Sequence, residues 1–334
     1  PRGGNVVTTI NPRLQRVAYN QMRNGCNGGC RGAVVAIAPN TGKILAMVST
    51  PSYDPNKLAS HDQSVRETAW SSWNDPNGSE PMLNRAINQL YPPGSTFKVV
   101  TTSAALGAGV VGANDTVSCP GVASVDGRTI PNEDEFALGQ VSMGTAFARS
   151  CNTTQAMLSS GLTDTALRDT AAQLGIGTEM TIPGLDAYTG EVPVAEQGPA
   201  RVEASIGQGT VTASPFGLAL MSASVAAGGN LVLPTFFQGE PATVPNPPAP
   251  LDPAVASTIQ DYMRQVVTSG TGTGAGGIPD LRGKTGTAET GMGDPHGWFT
   301  GYAGDLAFAV LMQEADSSKP AVSMAANFLS QAPY

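Results

Sequence analysis

The sequence predicts an α+β fold: one antiparallel sheet of about five strands, built from both chain ends, with a helical subdomain inserted between them. Three observations predict it. Strand-like apolar runs crowd the ends of the chain, at 33–38 and 43–49 and again at 281–289, 298–302 and 306–313. The first two are joined by Pro39-Asn40-Thr41-Gly42, which reads as a hairpin turn. Helical patterns fill the middle of the chain.

The elements follow in order. A short strand is expected at 6–10. Asn11 then Pro12 pair an N-cap residue with a proline at the first helical position, and Leu14, Val17, Ala18 and Met22 give that helix an apolar face. The stretch 51–81 is polar and reads as surface loop with a short helix. Helices are expected at 95–106, 141–148, 153–158 and 164–174. Ser214-Pro215 repeats the cap-then-proline signal for a helix through Val225. The proline-rich stretch 230–253 reads as irregular. A helix over 254–267 places Ile259, Met263 and Val266 on one face. The glycine-rich run 270–277 is a flexible turn, and 321–329 closes the chain as a helix. No internal repeat is visible.

The 334 residues carry a formal charge of −8, which argues against nucleic acid as a partner. No stretch approaches the ~18 apolar residues of a membrane span. No signal peptide is visible. The chain opens at Pro1 without an initiator methionine, so a preceding anchor is expected to have been trimmed. The four cysteines are Cys26, Cys30, Cys119 and Cys151. Neither His61 nor His296 stands at ligand spacing from them, so no zinc site and no other metal or cofactor is expected. Disulfides in an exported protein are the better reading. Connectivity is not readable from sequence. Cys26–Cys30 and Cys119–Cys151 are the expected pairs, with free thiols as the alternative.

Three short motifs carry the chemistry: Ser95-Thr96-Phe97-Lys98, Ser150-Cys151-Asn152 and Lys284-Thr285-Gly286. In this order they specify a serine acyltransferase with a lysine base. Lys98 stands one helical turn from Ser95 on the same face. A neutral lysine amine can take the serine proton, provided its pKa falls well below the usual ~10.4. Burial among Phe97, Val99 and Val100 pushes it that way, and Lys284 is the candidate second cation. The bland alternative makes Ser95 an ordinary cap and Lys98 a solvated side chain, but the apolar flanks argue against it. Ser150 and Asn152 are cap residue types as well as candidate proton relay and lysine anchor. Gly286 leaves room beside a strand for an extended ligand to add, with Lys284 and Thr285 binding its carboxylate. The backbone N–H groups of Ser95 and Thr287 are the candidate oxyanion hole.

Competing motifs fail. Gly283-Lys284-Thr285 ends like a nucleotide P-loop, but Ile278 occupies the required glycine position and Pro279 sits in the cradle. A histidine triad lacks its G-x-S-x-G elbow.

These motifs, with Tyr91-Pro92-Pro93-Gly94 before Ser95, Gly207-Gln208-Gly209, and Thr287-Ala288-Glu289 after Gly286, resemble the class B penicillin-binding proteins. The resemblance runs from about Asn11 to the end. It implies a penicillin-binding transpeptidase (β-lactamase-like) fold, with 1–31 a linker or pedestal remnant and 32–334 the transpeptidase domain. It implies D-Ala-D-Ala transpeptidation of peptidoglycan stem peptides through acyl-Ser95, acylation by β-lactam antibiotics, and division proteins as possible partners. It places the chain at the extracytoplasmic face of the bacterial cytoplasmic membrane, attached only through an N-terminal anchor not in this sequence. A D,D-carboxypeptidase, a β-lactam sensor and a division scaffold without turnover are the rival functions. The E-x-x-L-N pattern of class A β-lactamases is absent from Glu179, Glu191, Glu196 and Glu203, so a long-lived penicilloyl adduct is expected.

Overall fold

The computed structural model describes residues 3–26, 29–75, 78–291 and 293–332. From the amino end, α1 (Pro12–Asn24) leads into the hairpin β1 (Gly32–Ile37) and β2 (Ile44–Thr50), followed by α2 (Gln63–Trp73). A 3-10 turn at Gly94–Phe97 runs into α3 (Lys98–Gly107). Four short strands follow: β3 (Thr116–Cys119), β4 (Val122–Val125), β5 (Arg128–Pro131) and β6 (Gly139–Ser142). Helices α4 (Met143–Ala148), α5 (Asn152–Ser159) and α6 (Ala166–Gln173) come next, then β7 (Gly190–Glu191), α7 (Pro199–Ser205), β8 (Thr212–Ala213) and α8 (Pro215–Ala226). The small strands β9 (Thr235–Phe237) and β10 (Glu240–Pro241) precede α9 (Pro253–Ser269). The chain ends in β11 (Arg282–Ala288), β12 (His296–Ala303), β13 (Leu306–Met312) and α10 (Lys319–Leu329).

The central sheet has the order β11-β12-β13-β1-β2, antiparallel throughout. It is therefore closed by pairing the two chain ends, β1 against β13, in a register from Gly32–Met312 to Ile37–Ala307. Both of these strands are buried along their whole length, which is why they read as unbroken apolar runs. Alternate side chains serve two cores. Val34, Ala36, Phe308 and Val310 face α1 and α10, while Val35, Ile37, Ala309 and Leu311 face the side that holds α8. Helix α8 is buried all round, so its sequence shows no polar face.

Helix starts follow their sequence signals. Asn11 caps α1 through bonds from the amides of Arg13 and Leu14, and Ser214 caps α8 through Gly217. Asp252 does the same ahead of Pro253.

Three sequence expectations need correction. The stretch 6–10 forms no strand, only a single bridge from Thr8 to Phe237 of the three-residue β9. The expected helix over 141–148 is divided: residues up to Ser142 pair with β3, and Ser142 then caps α4. The helix carrying Ser95 begins as a 3-10 turn and becomes α-helical only at Lys98. No helix among the described residues is long and apolar enough to cross a membrane. Cys26 is bonded to Cys30 and Cys119 to Cys151.

Candidate active site

Residues from all three motifs meet at one cleft of about 490 Å³, lined by Ser95, Ser150, Asn152, Thr285, Gly286 and Thr287. Its floor is set where β11, an edge strand, lies against the 3-10 turn of Ser95. Two glycines permit this approach. A Cβ on Gly94, whose φ is +52°, would stand 2.4 Å from the Thr287 carbonyl oxygen. One on Gly286 would stand 2.9 Å from Thr96 Cγ2 and 3.0 Å from the Pro93 oxygen. The turn is held from behind by Trp298, whose Nε1 donates to the Pro92 oxygen at 3.1 Å, and from the side by Gly94 N–H donating to Gly207 O at 3.0 Å. Gln208 and Gly209 continue from there into the cleft wall.

The two lysines converge on Ser150. Lys98 Nζ donates to the Ser150 carbonyl at 2.8 Å, to Ser150 Oγ at 3.1 Å and to Asn152 Oδ1 at 2.5 Å. Lys284 Nζ donates to the same Ser150 Oγ at 3.0 Å and to the Thr285 carbonyl at 3.0 Å. Both side chains are fully buried. Burial lowers the Lys98 pKa well below the ordinary value, with the Lys284 charge as the second cause. Burial brings Lys284 down to about 7. A neutral Lys98 has two N–H groups and one lone pair. With Ser150 donating to that lone pair, all its contacts are satisfied and an uncharged base is stable in place.

Ser150 occupies this focus at a backbone cost. Its φ is +60°, in the left-handed region, a conformation worth about 1–3 kcal/mol of strain for a side-chain-bearing residue. The Lys98 bond to its carbonyl and the Cys119–Cys151 bridge one residue on both hold it there. Asn152 Nδ2 donates to the Pro131 carbonyl at 3.0 Å, which ties one of its two N–H groups to the cleft wall. Thr285 Oγ1 lies 2.5 Å from Thr271 Oγ1.

Not every sequence expectation is met by this geometry. Among the described residues the Ser95 hydroxyl makes no hydrogen bond, and Lys98 is directed at Ser150 and Asn152 instead. The Ser95 amide has no backbone acceptor either. Sequence reasoning also missed Thr271 and Glu133, which line the cleft from the loop after α9 and the turn after β5. The acidic run Glu133-Asp134-Glu135 was the only signal for the second, and it reads as an exposed turn. Among the described residues no cluster of three His, Cys, Asp or Glu could hold a metal ion.

The penicillin binding protein transpeptidase domain family matches residues 32–331. The chain belongs to that family. It is a D,D-transpeptidase domain, and its likeness to relatives extends along its length. The peptidoglycan D,D-transpeptidase PbpA of Mycolicibacterium smegmatis is 39% identical, covering 94% of this chain and 68% of the relative. PbpA of Mycobacterium tuberculosis is 38% identical, covering 91% of this chain and 65% of the relative. The chain thus spans about two thirds of the length of these relatives. The solved ceftriaxone acyl-enzyme complex of penicillin-binding protein A from M. tuberculosis superposes with a TM-score of 0.88 at 33% identity, over 100% of this chain and 81% of that one.

Proposed function

We propose that this transpeptidase uses Ser95 as the nucleophile on the D-Ala-D-Ala bond of a peptidoglycan stem peptide. Neutral Lys98 takes the Ser95 proton as Oγ attacks the carbonyl. The N–H groups of Ser95 and Thr287 stabilise the oxyanion. Ser150 passes a proton to the departing D-Ala nitrogen, and Lys284 and Thr285 bind the terminal carboxylate. An amine of a second stem peptide then attacks the acyl carbon, forming the cross-link and returning the Ser95 hydroxyl. The observation that carries this reading is the convergence of two buried lysine amines on one hydroxyl, at 3.1 and 3.0 Å, beside an unbonded serine. A substrate carbonyl entering the cleft lets the Lys98 lone pair exchange the Ser150 O–H for the Ser95 O–H, since catalytic bonds are commonly completed only with ligand bound.

β-Lactams belong to the same reading, as strained amides attacked by Ser95. An extracytoplasmic location suits both the substrate and the two disulfides. An N-terminal anchor, division proteins as partners, and the division of the chain into 1–31 and 32–334 are parts of the proposal that rest on the family resemblance.

Intact mass after benzylpenicillin treatment, with the modified peptide mapped, tests the core of it. A persistent adduct on Ser95 is expected. Rapid return to unmodified mass would make the protein a β-lactamase, and an adduct elsewhere would remove Ser95 from its role. Product analysis on a stem peptide, with and without an amine acceptor, separates cross-linking from carboxypeptidase hydrolysis.

A further inference from the structure

Glu133 lines the same cleft as Ser95, Ser150 and Asn152, and among the described residues its carboxylate has neither a hydrogen bond nor an ion pair. The contrast lies on the same wall: Glu203 is paired with Arg128 at 3.0 Å. The place of Glu133 is fixed by its neighbour. Asn132 is buried, its Nδ2 donating to the carbonyls of Pro120 and Phe136 at 2.8 Å each and its Oδ1 accepting from the Thr153 amide at 3.1 Å. Those bonds pin the turn at Glu133–Glu135 across the start of α5, next to Asn152, which itself holds Pro131. The carboxylate is close enough for both Lys98 and Lys284 to feel its charge.

We propose that Glu133 receives the ammonium group of the acceptor stem peptide as it approaches the acyl group on Ser95, an inference that rests on the transpeptidase reading above. A primary amine is cationic at neutral pH. It must enter a cleft built over Lys284, which with a pKa of about 7 is partly charged at neutral pH. The Glu133 carboxylate on the Asn152 side offsets that repulsion, while Glu289, the other cleft carboxylate without a partner among the described residues, follows β11 on the opposite wall. By microscopic reversibility the incoming nitrogen follows the path by which the leaving nitrogen departs, which is the Ser150 side. The Glu133 turn borders that side. The ammonium loses one proton to solvent. The neutral nitrogen then attacks the acyl carbon, the bond from that carbon to Ser95 Oγ breaks, and the second proton restores the Ser95 hydroxyl.

The test is partition of an acyl-enzyme made from a D-alanyl thioester donor, between glycinamide, largely cationic, and hydroxylamine, neutral at the same pH. Glu133→Gln should lower the ratio of amide to hydroxamate by about tenfold, the lower end of what a charged cleft contributes to capture. Glu133→Asp should restore most of it, and added salt should lower the wild-type ratio but not that of Glu133→Gln. An unchanged ratio in Glu133→Gln overturns the proposal. So does an unchanged ratio together with a new insensitivity to acetylation of the donor's own amine, which would move the contact to the donor strand. Stoichiometric benzylpenicillin adduct on Glu133→Gln is required, and its loss would place Glu133 in acylation instead. Absence of any amide product from wild type would overturn the transpeptidase reading, and this inference with it.

Discussion

The two edges of the central sheet are treated in opposite ways. At one edge, the main chain of β2 is occupied by a side chain: Gln15 of α1 donates through Nε2 to the Met47 carbonyl and accepts through Oε1 from the Met47 amide, both at 2.7 Å. The Ser49 side chain is tied to the next segment as well, its Oγ donating to the Leu83 carbonyl and accepting from the Arg85 amide, each at 3.0 Å. At the other edge, β11 has no strand beyond it. What it meets is the Ser95 turn and, along Thr285–Thr287, the cleft. An unpaired edge invites adventitious strand addition, so proteins block it unless they use it. On the proposed function, the blocked edge is structural and the open edge receives an extended ligand.

The sharpest way to break this contrast is to leave the open edge intact and remove the proposed base beside it. Lys98→Ala should lower the acylation rate with benzylpenicillin by about 10³-fold, within the usual range for a positioned general base, while the protein remains folded. Near-normal acylation with an unchanged melting curve would assign the base wrongly. Closing the edge itself comes next. In Gly286→Val the new Cβ would press on Thr96 and the Pro93 carbonyl, displacing the Ser95 turn from β11. A displacement of that kind should cost about 10²-fold in acylation. A smaller loss than for a substitution on the β2 edge would mean that ligands do not approach along β11.

The pH dependence sharpens the comparison further. Lys284, with a pKa of about 7, and Lys98, held well below its ordinary value, are neutral in the fold at a pH where the unfolded chain still protonates both. From about pH 7 to 10 the unfolded state therefore binds more protons, and these groups make stability rise with pH across that window. Acylation should fall as pH drops far enough to protonate Lys98, whose pKa burial and the Lys284 charge hold well below the ordinary lysine value. Lys284→Met should flatten the stability slope. It should also move the acylation limb to higher pH, because the Lys284 charge is the second cause of the Lys98 depression. Stopped-flow acylation and thermal melts from pH 6 to 9 measure both, and an acylation limb that stays in place would uncouple the two lysines.

Much of this was readable in the sequence, for identifiable reasons. Strands β1 and β13 stand out because burial on both faces demands unbroken apolar runs. Asn11-Pro12 and Ser214-Pro215 mark helix starts because the cap and the proline act locally. The strands β3 to β6 do not stand out, because they are four residues long and largely exposed. Ser95, Lys98 and Lys284 are singled out in the sequence by the order of the three motifs. Their focus on Ser150 is not, since it depends on a left-handed backbone at one residue and a bridge from Cys119. The Gln15 clamp was invisible too: a glutamine on the polar side of a helix pattern carries no sign that it will complete a strand 32 residues away.

The smallest effect is expected where the edge is closed. Gln15→Ala removes two hydrogen bonds and leaves the Met47 N–H and C=O facing the small groove between α1 and β2. That groove is open to water, so solvent can take up part of the loss, and destabilisation of about 1–2 kcal/mol is expected. Acylation by benzylpenicillin should be unaffected, because the four strands β1, β13, β12 and β11 in sequence across the sheet separate this edge from Ser95. The freed edge is the informative part. If Gln15 serves to block strand addition, the variant should self-associate at concentrations where wild type is monodisperse, as light scattering would detect. A variant that is destabilised but equally monodisperse would make Gln15 a packing residue, and would leave β11 as the only edge of this sheet whose treatment carries meaning.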